Sequence, residues 1–212
     1  MYIPAAFRET RSEVLHALIR EHSFATLISQ LDGQLFATHL PILLDAARGS
    51  HGTLVAHMAR ANPHWHAFLA DGAESLAIFL GPHAYISPSW YASELTVPTW
   101  NYSAVHAYGK PSVMDDPARV RALLDETVGT FESGLPEQWS TASVGDEYVT
   151  KLAQGIVAFE MPIVRLEGKR KLGQNRPVAD MRGAAAGLQA NGDAFGQTVA
   201  RQMLEVAQAS GE

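Results

Sequence analysis

The sequence predicts an α+β fold: an antiparallel sheet closing as an open or split β-barrel, with flanking helices. Three observations lead there. Short apolar runs follow one another through hairpins and brief loops, a connection available to antiparallel strands and not to parallel ones. Several runs, such as FATHLPILL at residues 36–44, are apolar on both faces, so both faces need cover from helices or from a partner subunit. Helical periodicity appears only before the first strand, in a middle segment and at the C-terminal end.

The elements follow in order. TRSE, residues 10–13, fits a capping box, and Val14, Leu15, Leu18 and Ile19 then make one apolar helical stripe. SFATLISQ and QLFATHLPILL flank Asp32-Gly33, a pair that tolerates the positive φ of a tight hairpin turn. Pro41 cannot donate to a ladder and so marks a bulge or an edge. A third strand spans about residues 53–58. Two more, near 75–80 and 83–87, are expected to be broken by Gly81-Pro82, and another spans roughly 100–114. Asp116-Pro117 supplies an N-cap and an N1 proline for a helix carrying Val120, Leu123, Leu124, Val128 and Phe131. DEYVTKLAQG reads as a short helix closed by Gly155, and IVAFEMPIVRLEG as the last long strand. Helices over about 178–189 and 194–208 are separated by Asn191-Gly192-Asp193. No repeat or linker divides the chain, so one domain over 1–212 is expected, with a helical extension from about residue 177.

Composition narrows the function. The 212 residues are 47% apolar and 18% charged, as in globular proteins. The absence of cysteine excludes disulfides, iron–sulfur clusters and thiolate zinc sites. MYIPAAFRETRSE lacks the basic start and apolar core of a signal peptide, and no apolar run approaches the roughly 20 residues of a membrane helix. A cytoplasmic protein is therefore expected. The formal charge of -6 gives no general attraction to nucleic acid. Motifs of dinucleotide folds, P-loops, common serine hydrolases and zincins are absent.

Three stretches remain as candidate sites. In HMARANPHWHAF, residues 57–68, Asn62 is the natural N-cap and Pro63 the N1 residue. His64 and His66 fall about 200° apart on a helix and cannot grip one metal. Arg60 ends a strand beside a helix start, a place that suits an anion such as phosphate; the alternative is an exposed arginine. The second stretch, RLEGKRKLGQNRP at 165–177, gathers Arg165, Lys169, Arg170, Lys171 and Arg176, five of the chain's 16 cations. It reads as a solvated basic turn or as an anion clamp, with Gln174 and Asn175 able to bond a polar ring edge. The third is SPSWYASELTVPTWNY, residues 87–102. Its Trp90, Tyr91, Trp100 and Tyr102 either cover the core or wall a planar ligand, to which Asn101 could offer polar groups.

Taken in order, MYIPAAF, THLPILL, HMARANPHW, SPSWY, VPTWNY and KLGQNR resemble the PaiB family, described as FMN-binding negative transcriptional regulators. The likeness runs from Met1 to about Asp193. It implies an FMN-binding split barrel related to pyridoxamine-phosphate oxidases and flavin reductases, and a homodimer with FMN at the subunit interface. In KLGQNR, Gly173 stands where the family leads one to expect serine. Carried over from the wider split-barrel group, flavin contacts fall on Thr38, His39 and Leu40, then on His57, Met58, Arg60, Asn62 and His64. Tyr91, Trp100, Asn101, Lys171 and Gln174 complete the candidate set.

The resemblance implies a flavin-binding regulator. Direct DNA binding is not expected, because the stretch after Pro177 carries four acids against two bases and no recognition helix. The alternatives are a flavin-dependent oxidoreductase, in which His39, His57 or His106 could move protons, and a haem-binding protein using some of the nine histidines.

Overall fold

The computed structural model describes residues 1–69 and 74–209. Among these residues, eight strands carry the sheet: β1 Arg8–Glu9, β2 Phe24–Leu31, β3 Gln34–Asp45, β4 Thr53–Ala59, β5 Ser75–Ile86, β6 Thr99–Gly109, β7 Ser112–Val113 and β8 Ile156–Lys171. Their hydrogen-bonded order is β1-β8-β4-β3-β2-β5-β6, with β7 on β8 and a further β8–β6 pairing. That last pairing makes the series from β8 to β6 a closed one. The α-helices of the described residues are α1 Ser12–Glu21, α2 Pro117–Glu132, α3 Asp146–Ala153, α4 Val178–Asn191 and α5 Ala194–Ala209.

The chain divides into two interleaved compact units. One holds Met1–His22, Phe79–His106 and the segment from Glu167 onward; the other holds Ser23–Ile78 and Ala107–Leu166. The second unit contains the β2–β3 hairpin. Leu31 pairs with Gln34, while Asp32 at φ 51 and Gly33 at φ 77 make the turn, the two-residue geometry that Asp-Gly favours. Pro41 sits where β3 changes partner: Pro41 still pairs with Phe24, and Ile42 onward pairs with β4. The missing N–H therefore falls at the handover between two ladders. On one face of β3, β4 and β8, Leu43, Val55 and Ala158 pack with Met114 and with Leu123 of α2. Asp116 caps α2 as expected, accepting from the Ala118 N–H at 2.9 Å. In the first unit, Ile86 and Leu172 pack with Ala184, Leu188, Val199 and Met203 from α4 and α5. Each fully buried Leu, Ile, Val or Met in these clusters stabilises the fold by about 1.5–3 kcal/mol of transfer free energy.

Three local expectations need correction. Gly81-Pro82 does not break a strand, since β5 runs continuously from Ser75 to Ile86. A Cβ on Gly81 would lie 3.2 Å from the Ser103 carbonyl oxygen of β6 and 3.4 Å from the His22 ring, so glycine there permits close backbone approach within the strand. The strand expected over 100–114 is instead two, interrupted at Lys110-Pro111. The capping box at Thr10 does not form either. The first turn of α1 has Arg11 as N-cap with no side-chain cap. Glu9 takes the neighbouring donors, accepting from the backbone N–H groups of Thr10 and Arg11 at 3.0 Å and from the Arg11 guanidinium at 2.6 and 2.9 Å. Those bonds hold the nearly buried Glu9 carboxyl down to about 2, with Arg11 the largest cause and burial opposing.

Candidate functional site

The loop after β4 is tied down by its own polar side chains. Asn62 accepts from the backbone N–H of His64 at 3.0 Å, which starts the 3-10 helix Pro63–Leu69. The same bond fixes which end of the Asn62 amide is nitrogen, and that nitrogen donates to Thr38 Oγ1 at 3.0 Å. Thr38 Oγ1 also lies 2.8 Å from His64 Nδ1, and His64 Nε2 lies 2.8 Å from Ser29 Oγ. Ser29 in turn meets Ser75 at 2.7 Å. Side chains from β2, β3, β5 and the loop thus form one polar network that runs from the half-buried Thr38 and Asn62 to the buried Ser29 and Ser75. His64 is fully buried in it and flanked by Phe36 and Phe68. Burial pushes its imidazole down to about 4, so the ring is neutral at neutral pH.

Arg60 has a different set of partners. Its backbone N–H donates to the Gly155 carbonyl at 2.8 Å. Its guanidinium donates through Nε to the Gln154 carbonyl at 2.8 Å and through Nη2 to the Ile156 carbonyl at 2.7 Å. The arginine thereby clamps the end of β4 to the turn between α3 and β8. A guanidinium has five N–H groups, so three remain without a partner among the described residues. Trp65 is held alongside by its indole N–H, which donates to the Arg60 carbonyl at 3.1 Å.

Other candidates of this unit sit nearby in sequence. His39 is exposed on β3 and bonds Thr26 across the hairpin at 3.0 Å. His57 is half-buried on β4, and burial lowers its pKa. Leu40 and Met58 are core residues, each 4% exposed, leaving only backbone groups to a ligand.

Five candidates belong to the other unit. Lys171 donates to Thr99 Oγ1 and, at 2.8 Å, to the Trp100 carbonyl. Burial, then the charges of Lys169 and Arg176, lower its pKa. Gln174 staples the turn after β8: it accepts from the Leu172 N–H at 2.8 Å and donates to the Arg170 carbonyl at 2.6 Å. Asn101 is buried and donates to Met203 Sδ at 3.3 Å. Trp100 is 54% exposed, with its ring near those of His83 and Tyr85. Tyr91 lies under the Arg176 guanidinium, 4.7 Å from its ring centre; burial raises its pKa, with Arg176 opposing. The basic cluster is distributed over several partners: Lys169 over Tyr102, Arg170 toward Glu9, Arg176 over Tyr91 and Arg165 over Tyr108.

Thr38, Asn62 and His64 are therefore brought into one network, while Arg60 turns toward residues 154–156. Sequence reasoning misses Ser29 and Ser75. A signal exists for Ser29: it shares strand parity with the buried Ala25 and Leu27, which turns its hydroxyl inward. Gly173, which replaces the expected serine, has φ +89, a backbone conformation that glycine adopts without strain.

Known proteins share both the sequence pattern and the fold. The family described as "Putative FMN-binding domain" matches residues 1–165. Protease synthase and sporulation protein PAI 2 of Bacillus subtilis is 37% identical over 182 residues, covering 85% of each chain. An uncharacterized protein of Emericella nidulans is 29% identical over 243 residues, covering 97% of each. Among solved structures, the flavocytochrome Anf3 from Azotobacter vinelandii superposes with a TM-score of 0.59 at 14% identity, covering 77% of this chain and 69% of that one. The FAD and heme binding protein from Mycobacterium smegmatis gives 0.58 at 20%, covering 77% and 73%. At such identities the structures share the fold, an α+β split barrel, and the family rests on the sequence matches. With its FMN-binding domain matched from residue 1 to 165 and its likeness to PAI 2 running along most of both chains, this protein belongs to the PaiB family.

Proposed function

We propose that the chain binds FMN and acts as a flavin-holding regulator in a cytoplasmic homodimer. The observation that carries this reading is the family match over residues 1–165, which spans the whole stretch from Thr38 to His64. The residues there suit the ligand. Arg60 has three unpartnered N–H groups for a phosphate. His39 is exposed beside Thr38, and the buried His64 and Asn62 hold the Thr38 hydroxyl in place. Leu40 and Met58 would contribute backbone groups, and His57 its half-buried ring. Tyr91, Trp100, Asn101, Lys171 and Gln174 form a second proposed contact set, of which Trp100 offers the most free aromatic surface. Bound flavin would supply reversible electron chemistry, and these residues would bind and orient it.

The dimer is supported by a sheet face with exposed apolar side chains, a face that Thr26, Gln30 and His39 share. Phe24 and Ile28 of β2, Leu35 and Ala37 of β3, and Leu76 and Ile78 of β5 share one side of three paired strands. Phe24 is 71% and Leu35 82% exposed. Patches of this kind mark association surfaces in soluble proteins. No described helix is long and apolar enough to cross a membrane. Regulation is proposed to run without direct DNA reading, in keeping with the acidic balance of the stretch after Pro177.

Denaturing the purified protein and identifying the released small molecule by mass is the direct test. FMN supports the reading. Haem, or a clean protein that fails to take up added FMN, overturns it.

A further inference from the structure

The unit containing Ser23–Ile78 and Ala107–Leu166 holds a cavity of about 510 Å³, within the span of small-molecule sites. Its walls are Val120 and Leu124 of α2, Val149 and Ala153 of α3, Ile156 of β8 and the Trp65 ring. Three charged side chains line it as well: Arg60, Asp115 and Arg121. Their charges are not equivalent. Arg121 is neutralised by Asp125 at 3.0 Å and Asp146 at 2.7 Å and also bonds Thr141, so its guanidinium is engaged on both sides. Among the described residues Arg60 bonds only carbonyl oxygens and has no carboxylate partner, which leaves three of its N–H groups open. The cavity thus joins an apolar body to one guanidinium with open donors, while Asp115 in the same lining disfavours a ligand with a second negative charge.

We propose that this cavity is a ligand site of its own for an apolar monocarboxylate, with the carboxylate on Arg60 and the hydrocarbon between α2 and α3. A charge-assisted, hydrogen-bonded head is what Arg60 can supply, and an uncharged tail is what the walls require, because a charge there would be desolvated without a partner. Placement of the FMN phosphate on Arg60 makes the cavity ligand and FMN share one guanidinium. The cavity's ability to bind does not depend on that placement.

Octanoate is a suitable probe, titrated into the flavin-free full chain and followed by calorimetry and by Trp65 fluorescence. Saturable binding is expected, with octylamine and octanedioate weaker by about tenfold or more, the factor that one charged hydrogen-bonded contact accounts for. Arg60→Met should lose that preference. Because Arg60 also clamps the turn at 154–156, Ala153→Phe provides a second variant: it fills the cavity from a partly exposed position and should abolish octanoate binding while the protein stays folded. No saturable binding, equal binding of octylamine, or undiminished binding by Ala153→Phe would each overturn the proposal. Displacement of octanoate by FMN but not by riboflavin supports it, with Arg60 shared. Displacement by neither also supports the cavity site and counts against FMN phosphate on Arg60. Equal displacement by riboflavin would identify the cavity as the seat of the flavin ring and overturn a separate ligand.

Discussion

The Thr38 hydroxyl and His64 Nδ1 lie 2.8 Å apart, and through this contact a strand residue and a buried imidazole hold each other in position. The ring's other nitrogen is engaged by Ser29, so a proton added to His64 must reverse one of these bonds and place a charge on a fully buried ring. Stability should therefore depend on pH. The folded pKa of about 4 lies below the ordinary 6.5, so between those values the unfolded chain binds a proton that the native state refuses. Native stability is fully present above pH 6.5 and falls as pH drops toward 4, by at most about 3 kcal/mol. Glu9, held at about 2 against an ordinary 4.5, adds a loss in the same direction only below pH 4.5. Chemical denaturation from pH 7 to 4 measures the sum. His64→Gln should flatten the slope between 6.5 and 4, though His57 and His22, both lowered by burial, leave a remainder. An unchanged slope in the variant would remove His64 from the account.

Arg60 bonds protein carbonyls as well as lining the cavity, so Arg60→Ala should carry two effects. Stability falls by about 1–3 kcal/mol, since the Gln154 and Ile156 carbonyls lose charged donors. FMN affinity falls about 10- to 150-fold through loss of a charged hydrogen-bonded contact to phosphate. Arg60→Lys should recover only part of either, because an ammonium lacks the planar fork. Riboflavin has the same ring and no phosphate, and its weaker binding should barely change. Equal loss of riboflavin and FMN would show that Arg60 supports the ring or the fold instead of the phosphate.

Most of the fold is legible in the sequence because its elements carry local signals. Asp32-Gly33 announces the hairpin, Asp116-Pro117 the start of α2, and Asn62-Pro63 the turn after β4. Errors arise where tertiary contacts override local chemistry. Gly81-Pro82 reads as punctuation, yet the approach of Ser103 and His22 keeps it inside β5. TRSE reads as a capping box, yet Glu9, a residue of the preceding strand, captures the donors. In the candidate region, Thr38, Asn62 and His64 are reachable from family motifs. The extension of their network to Ser29 and Ser75 is not, because those partners lie on strands distant in sequence. The cavity under α2 and α3 leaves no trace in any single stretch.

Gly173 occupies a backbone conformation that favours glycine over the serine the resemblance leads one to expect. Its φ of +89 lies in a region that L side chains rarely adopt. A Cβ there would sit 3.4 Å from Met181 and 3.7 Å from Met203, so space is not the main obstacle. Gly173→Ala should therefore destabilise by about 1–2 kcal/mol through conformation. Gly173→Asn should cost less, since asparagine tolerates left-handed backbone better. Equal denaturation midpoints for alanine and wild type would mean that this turn relaxes freely.

The face of β2, β3 and β5 that carries Phe24 is the expected dimer surface. Phe24 and Leu35 project into solvent from adjacent strands, with Ile28, Ala37, Leu76 and Ile78 on the same side. An obligate dimer commonly buries more than roughly 2,000 Å², and an apolar sheet face can supply such a surface. Light scattering at micromolar concentration should thus report twice the 23.0 kDa chain mass. Leu35→Glu places a charge on this face, and in a dimer it would be desolvated without a partner, so the variant should shift toward monomer. Because Leu35 is 82% exposed in the single chain, the substitution should leave the monomer's own fold intact, as circular dichroism would show. Lys151→Glu serves as the control: it alters charge at an exposed position of α3, outside the three strands, and should leave the dimer unaffected. A wild type that scatters as a monomer, or a Leu35→Glu variant that stays dimeric, would exclude this face as the interface.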